Sequence, residues 1–155
     1  MSGSVTLRDA RRSEVPVIVA MLADDMLGGS REVTSEPLPE SYYKAFDALA
    51  RDPNNRLLIA ELEGEIVGTL QITFIHGLSR QGAKRALLEA VRVAAPCRGK
   101  GIGEEIVRAA VEIARAAGCA MVQLTTEKSR KDAHRFYERL GFTASHEGMK
   151  LILVT

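Results

Sequence analysis

Tryptophan is absent from this chain of 155 residues and aromatic side chains make up only 5% of it, so its interior must be built from aliphatic ones. Cysteine is nearly absent as well. Cys97 and Cys119 form no Cys-x-x-Cys pair and stand at no metal-ligand spacing from His76, His134 or His146, which argues against a disulfide framework and a metal centre. Such cysteine usage points to a reducing, cytoplasmic setting. An excess of either charge is missing too. Lys and Arg (21) against Asp and Glu (20) leave a net charge of +1, so no global field draws the chain to nucleic acid or a membrane surface. No apolar run approaches membrane-spanning length. The opening Met1-Ser2-Gly3-Ser4-Val5 lacks the charged segment and apolar core of a signal peptide. Repeats, low-complexity stretches and linkers are not seen. The length suits a single domain, residues 1–155, with a substantial core.

What the chain does have is clear periodicity. Val5 to Arg8 reads as a first strand. Ser13 is placed to cap a helix with Val15, Ile18, Leu22 and Met26 on one stripe, stopped by Gly28-Gly29-Ser30. Residues 28–39 read as a loop. Pro39 opens a second helix carrying Tyr42, Phe46 and Leu49. Arg56–Leu62 and Ile66–Ile75 are strand-like runs around Glu63-Gly64-Glu65, a hairpin signal. A turn near Gly77–Gly82 leads to a strand from Ala86 to Ala94. The helix from Gly101 to Ala117 has the clearest pattern: Ile102, Ile106, Ala109, Ala110, Ile113, Ala114 and Ala117 share a stripe, Glu104, Arg108 and Glu112 lie opposite, and Gly118 stops it. Met121–Thr126 reads as a strand and Asp132–Leu140 as a helix closed by Gly141. Phe142–Ser145 and Met149–Val154 read as final strands. This order predicts an α/β fold with a mixed sheet, because the helix of residues 101–117 joins strands that should be parallel.

Between strand and helix lies Ala94-Ala95-Pro96-Cys97-Arg98-Gly99-Lys100-Gly101-Ile102-Gly103. A glycine-rich strand-to-helix junction points backbone N–H groups at one spot, at the positive end of a helix dipole. That is an anion site suited to a diphosphate. Arg98 and Lys100 add charge there, and Arg80, Lys84, Arg85 and Arg92 are expected to crowd its approach. Two better-known phosphate loops are excluded. A dinucleotide fingerprint counted from Gly99 or Gly101 would need glycine at Glu104 or Ile106, and a Walker loop would need it at Ala94. What remains is Arg98-x-x-Gly101-x-Gly103. Cys97, beside this cationic loop, and Cys119 read as small buried fillers rather than catalytic thiols.

Arg98-x-x-Gly101-x-Gly103 resembles motif A of the GCN5-related N-acetyltransferase (GNAT) superfamily. Ala133-His134-Arg135-Phe136-Tyr137-Glu138-Arg139-Leu140-Gly141-Phe142 is similar to its motif B. The order of elements also resembles that fold, so the likeness covers nearly the whole chain. It implies a mostly antiparallel sheet flanked by helices, with a central, splayed parallel strand pair. It also implies that Arg98, Gly99, Lys100, Gly101, Ile102 and Gly103 hold the pyrophosphate of acetyl-coenzyme A. Val91 and Val93 would lie along pantetheine, with the Val93 N–H as the donor that polarises the thioester carbonyl.

In motif B the tyrosine donates a hydrogen bond or a proton to the departing coenzyme A sulfur, a role that the resemblance gives to Tyr137. A phenol with pKa near 10 stays protonated at neutral pH, whereas a thiol's is near 8.5. Taken alone, Ala133, Phe136, Tyr137 and Leu140 also read as a packed helix face. Several members of the superfamily carry a glutamate at the offset of Glu89, where it deprotonates the attacking amine. Ideal alternation puts Glu89 with Leu87, Val91 and Val93 on one strand face, where a carboxylate needs a partner or a task. A bulge, frequent in this strand of the family, would change that face. Where the superfamily often has an asparagine that contacts pantetheine, this chain has Arg130. The run Arg130–Tyr137 is similar to aminoalkylphosphonate N-acetyltransferases. His134 reads as lying on the wetter side of its helix, His76 as a strand end near the cleft, and His146 as structural.

The resemblance implies an enzyme that moves acetyl from acetyl-coenzyme A directly to a primary amine of a small molecule, without a metal, alone or as a homodimer. A protein or peptide acetyltransferase and a non-catalytic acyl-coenzyme A sensor are the alternatives. Residues 28–39 and 76–84 are expected to shape the acceptor pocket.

Overall fold

The computed structural model describes residues 3–25 and 28–154, which fall into two compact units, Met1–Gln123 and Leu124–Thr155. Met26, expected on the first helix's stripe, lies outside the described residues.

The first unit is built on a five-stranded sheet in the order β1-β2-β3-β4-β5. Its strands are β1 (Thr6–Asp9), β2 (Asn55–Leu62), β3 (Glu65–Ile75), β4 (Arg85–Val93) and β5 (Met121–Gln123). Neighbours pair antiparallel from β1 to β4, and β5 runs parallel to β4. The sheet is therefore mixed, as the sequence predicts. The Glu63-Gly64 turn closes the β2–β3 hairpin with both residues left-handed, at φ 52° and 81°. Two such residues match the twist of the strands they join.

Helices cover both faces. α1 (Val15–Ala23) packs on one, with Ile18 and Met21 clustered on Ile59. α2 (Glu40–Arg51) also belongs to this side but has no buried residue. α3 is a single turn (Ser79–Gly82). α4 (Ile102–Ala116) covers the other face, buries Ile102, Ile106, Val107, Ala110 and Ala114, and comes so close that Ile106 Cδ1 would lie 2.6 Å from a Cβ built on Gly68. Beneath it Leu58, Leu70, Ile72 and Leu88 are fully buried. Cross-strand pairing of Leu58 with Leu70 and of Ile72 with Leu88 sets these side chains on the α4 face.

The ends of the helices follow local chemistry. Ser13 does not cap α1. A 3₁₀ turn (Arg12–Glu14) leads into it instead, and the Glu14 carboxylate accepts the Arg11 N–H at 2.7 Å. α4 closes with Cys119 N–H on Ala114 O and Gly118 N–H on Arg115 O, the paired bonds of a Schellman stop.

The second unit holds α5 (Lys131–Arg139), which ends the same way. Phe142 N–H donates to Tyr137 O and Gly141 N–H to Glu138 O. The apolar contact that accompanies this motif is Tyr137 against Phe142, ring centroids 5.7 Å apart. The strands expected at Phe142–Ser145 and Met149–Val154 are not formed. β-prone composition makes a strand only where a partner completes the ladder, and among the described residues neither segment has one. Met149, Leu151, Leu153 and Val154 are largely exposed. β5 likewise stops at Gln123 rather than running to Thr126.

Arg8 ties β1 to the turn before α1 and to β2 by pairing with both Glu14 and Glu61. Its hydrogen bond is the main reason that Glu14 titrates at about 2 instead of 4.5, with the Arg11 N–H helping. A carboxyl whose folded pKa is depressed stabilises the fold above its unfolded value and loses that contribution as pH falls through the folded one. Urea unfolding should therefore show a loss of stability between pH 4.5 and about 2 that is smaller in Glu14→Gln. Parallel pH profiles for the two proteins would contradict this coupling.

Candidate active site

β4 is paired with β5 only at Arg85–Met121, Ala86–Val122 and Leu87–Gln123, yet it runs on to Val93. Beyond Leu87, among the described residues, it has a strand neighbour on the β3 side alone. That ladder also changes step. Gln71 faces Glu89 and Thr69 faces Arg92, so β4 spends three residues where β3 spends two. The surplus is a bulge, at which Ala90 adopts a left-handed φ of 53°.

The bulge rearranges the faces predicted from ideal alternation. Glu89 and Arg92 lie on the face of Thr69 and Gln71, the α1 side, while Val93 pairs with Gly68 on the opposite face. Glu89 and Val93 thus do not share a face. Nor is Glu89 buried among apolar neighbours: it is exposed, and among the described residues no cation pairs with it.

Backbone direction at Val93 follows from the ladder. Ala94 N–H donates to Val67 O at 2.8 Å, so the neighbouring Val93 turns its N–H and C=O away from β3. The C=O accepts the Arg98 guanidinium at 3.2 Å. The N–H points along the side from which β5 has parted.

The chain then makes a 3₁₀ turn (Ala95–Cys97) and enters the glycine loop. Gly99 and Gly101 are left-handed, at φ 76° and 78°, and nothing lies within 4 Å of a Cβ built on either. Glycine is required here by the backbone conformation, and the space alongside is open. Gly101 is the N-cap of α4, with the Glu105 N–H on its carbonyl. The amides of Ile102, Gly103 and Glu104 have no acceptor within the helix. The Ile102 side chain is buried, so only its backbone can serve a ligand. Glu104 and Glu105 would oppose an anion, but their carboxylates are engaged by Arg108 and by the Val5 N–H.

Two ion pairs fasten this region to the end of α1. Arg92 meets Asp25 at 3.0 Å with each side chain 17% exposed. Arg98 donates to Asp24 O and Oδ2 at 3.1 and 3.3 Å. Arg98 is therefore a strut as well as a cation, whereas exposed Lys100 has no acid partner among the described residues. Reasoning from the sequence missed Asp24 and Asp25. The signal was two acids ending an amphipathic helix in a chain with several arginines after it. It also misplaced three cations. Arg80, Lys84 and Arg85 lie at the start of β4, about 25 Å from the glycine loop at 3.3 Å per residue. Together with Ser79 and Met121 they line a separate cavity of about 230 Å³. His76, exposed just past the end of β3, belongs to that distant end too.

On the Glu89 side lies a cavity of about 130 Å³ between α1, α2 and the sheet, lined by Ile18, Leu22, Phe46, Leu49, Leu57, Gln71 and Ala90 among others. None of residues 28–39 or 76–84 lines it. The loop of 28–39 is fixed to it indirectly: Tyr42 Oη donates to Glu32 at 2.8 Å and accepts the Val33 N–H. Burial pushes the Tyr42 phenol pKa up.

In the second unit, half-buried Tyr137 stands edge-on to Phe136 at 5.0 Å as well as to Phe142. Arg130 is the N-cap of α5, its carbonyl accepting the His134 N–H. The His134 ring sits 3.0 Å from Glu127 O, so its Nε2 donates there and braces the preceding loop. The His146 ring bonds Ser145 Oγ. Cys97 and Cys119 are half-buried free thiols.

The model of the Acetyltransferase (GNAT) family matches residues 21–142. Aminoalkylphosphonate N-acetyltransferase of Salmonella typhimurium is 36% identical over 107 residues, 69% of each chain. L-methionine sulfoximine/L-methionine sulfone acetyltransferase of Pseudomonas paraeruginosa is 28% identical over 144 residues, covering 92% of this chain and 82% of that one. A solved structure described as a transcriptional regulator from Bacillus halodurans C-125 superposes with a TM-score of 0.92 at 50% identity, covering 96% of this chain and 99% of the other.

Proposed function

The chain belongs to the acetyltransferase (GNAT) family, and from that premise we propose that it transfers acetyl from acetyl-coenzyme A to the primary amine of a small molecule. The observation that carries this reading is the open edge of β4 running straight into the glycine loop. Outward backbone groups at Val93, then Gly99 and Gly101 in open space, then the free amides of Ile102 and Gly103 form a continuous polar track. Its chemistry suits a long ligand with an amide-bearing arm and a diphosphate. Lys100 supplies unpaired charge beside it, and Arg98 holds the loop in shape. Val91 and Arg130 complete the set of residues assigned to the ligand. The Salmonella and Pseudomonas relatives, named for acetylating an aminoalkylphosphonate and methionine derivatives, support a small-molecule acceptor.

In the reaction, the amine nitrogen bonds to the acetyl carbonyl carbon and the carbon–sulfur bond breaks. The Val93 N–H favours the charge that gathers on the carbonyl oxygen. An alkylammonium must first lose a proton, since its pKa is near that of lysine, about 10.4. Exposed, unpaired Glu89 takes that proton directly or through water. Tyr137 gives its hydroxyl proton to the leaving sulfur and regains one from solvent. An acid and a base have no task in a pure acyl-coenzyme A sensor. Release of free thiol on mixing acetyl-coenzyme A with a panel of small amines tests the reading; release with peptides alone would make the protein a peptide acetyltransferase.

Tyr137→Phe keeps the ring and its edge contacts but removes the proton. We expect turnover to fall roughly 100-fold or more, with acetyl-coenzyme A affinity little changed. Equal rates, with chemistry shown to be limiting, would assign Tyr137 to packing.

Glu89→Gln should lower kcat/KM most at neutral pH, with the deficit shrinking as pH approaches about 10, where free amine no longer needs a base. Because Glu89 is exposed and unpaired, its melting temperature should hardly move. A deficit independent of pH would leave Glu89 as an orienting group rather than a base.

A further inference from the structure

We infer that the acceptor carries an apolar arm, a branched alkyl or phenyl group, which fills the cavity between α1, α2 and β4; the inference rests on the acetyl-transfer reading and names its substrate class. The cavity measures about 130 Å³, and its walls come from Ile18, Leu22, Phe46, Leu49, Leu57 and Ala90 together with a few polar residues. An apolar cavity of about 150 Å³ stays dry and takes up benzene, so this one suits an arm of roughly four to six carbons.

Each polar side chain in its wall already has a partner. Thr69 Oγ1 donates to Leu58 O at 2.8 Å, Gln71 Nε2 donates to Asn55 Oδ1 at 3.1 Å, and the Tyr42 hydroxyl is held by Glu32 and Val33. Among the described residues, no charged side chain lines the space. A phosphonate or carboxylate placed there would lose its hydration and gain nothing. An alkyl or phenyl arm loses only unfavourable contact with water. α2 explains why the space exists. It turns half-buried Tyr42, Phe46 and Leu49 toward α1 and the sheet, yet buries no residue fully, so the helix covers this face without filling it.

The bulge aims such a ligand at the chemistry. Ala90 lines the cavity, and so does Gln71, the cross-strand partner of Glu89. The Glu89 carboxylate therefore stands on the same sheet face, at the cavity's margin. With the arm inside, an amine one or two carbons further out reaches Glu89, and the open stretch of β4 that ends at Val93 follows within a few residues.

The test is a homologous series of amines, ethylamine to pentylamine with 3-methylbutylamine and 2-phenylethylamine, set against ethanolamine and 2-aminoethylphosphonate. Thiol release gives kcat/KM, and saturation-transfer NMR reports amine binding to the protein without acetyl-coenzyme A. We expect kcat/KM to rise about fourfold per methylene, the value of burying one CH₂, until the cavity is full. Ala45→Leu, at an exposed position on its wall, should cut the advantage of 2-phenylethylamine over ethylamine, and Phe46→Ala should extend acceptance to bulkier arms. A flat series, or a preference for 2-aminoethylphosphonate, would overturn the inference and leave acetyl transfer standing. Binding of 2-phenylethylamine that Ala45→Leu abolishes, with no thiol release from any amine, would uphold the cavity's ligand class and overturn acetyl transfer instead.

Discussion

Parallel pairing between β4 and β5 ends after Leu87 and Gln123, and the candidate site depends on that ending. A paired strand has its N–H and C=O groups taken up on both sides. A strand whose neighbour departs keeps one side unmet, and backbone groups so placed need water or a ligand. From Leu88 to Val93 that side of β4 is free of strand pairing among the described residues. The crossover through α4 then does the rest. A parallel connection must return along the sheet, so the N-terminus of α4 and its unbonded amides arrive where β4 stops. Left-handed Gly99 and Gly101 make the turn tight enough for loop, strand edge and helix end to form one track. Arg98 and Arg92 fasten it to Asp24 and Asp25 at the end of α1.

The bulge is the second constraint. Holding Ala90 left-handed costs about 1 kcal/mol or more. In return, the carboxylate of Glu89 faces the α1 side while the backbone of Val93 still addresses the open edge. In regular alternation without the bulge, Val93 would share the Glu89 face, and the cavity beside Ala90 would meet a different set of side chains.

Much of this was legible in the sequence, and the parts that were not have physical reasons. The run of Ile102, Ile106, Ala110 and Ala114 could only be a helix face, and the glycines ahead of it announced the loop. The hairpin at Glu63-Gly64 and both glycine helix stops were equally plain, because each is decided by neighbours in the chain. The grouping of Val93 with Glu89 on one face was misread because a single surplus residue inverts every side chain after it, and nothing local to β4 reveals it. Arg80, Lys84 and Arg85 seemed close to the loop because distance along the sequence hides an extended strand's length. Phe142–Ser145 and Met149–Val154 have strand composition, but pairing is a property of two segments and composition belongs to one. Ser13 gave way to Glu14 because the entry to α1 is set by a carboxylate that Arg8 holds in place. The cavity beneath α2 had no signature at all, since an incompletely filled helix face looks like any amphipathic helix.

The central claim, that acetyl-coenzyme A lies along the open edge of β4 and over the glycine loop, is tested most directly by amide NMR. Titration of the ¹⁵N-labelled protein with acetyl-coenzyme A should move the amide signals of Val91, Val93, Gly99, Gly101 and Gly103 most. Shifts concentrated instead at Arg80, Lys84 and Arg85, or no saturable shifts in the β4–α4 region, would contradict it.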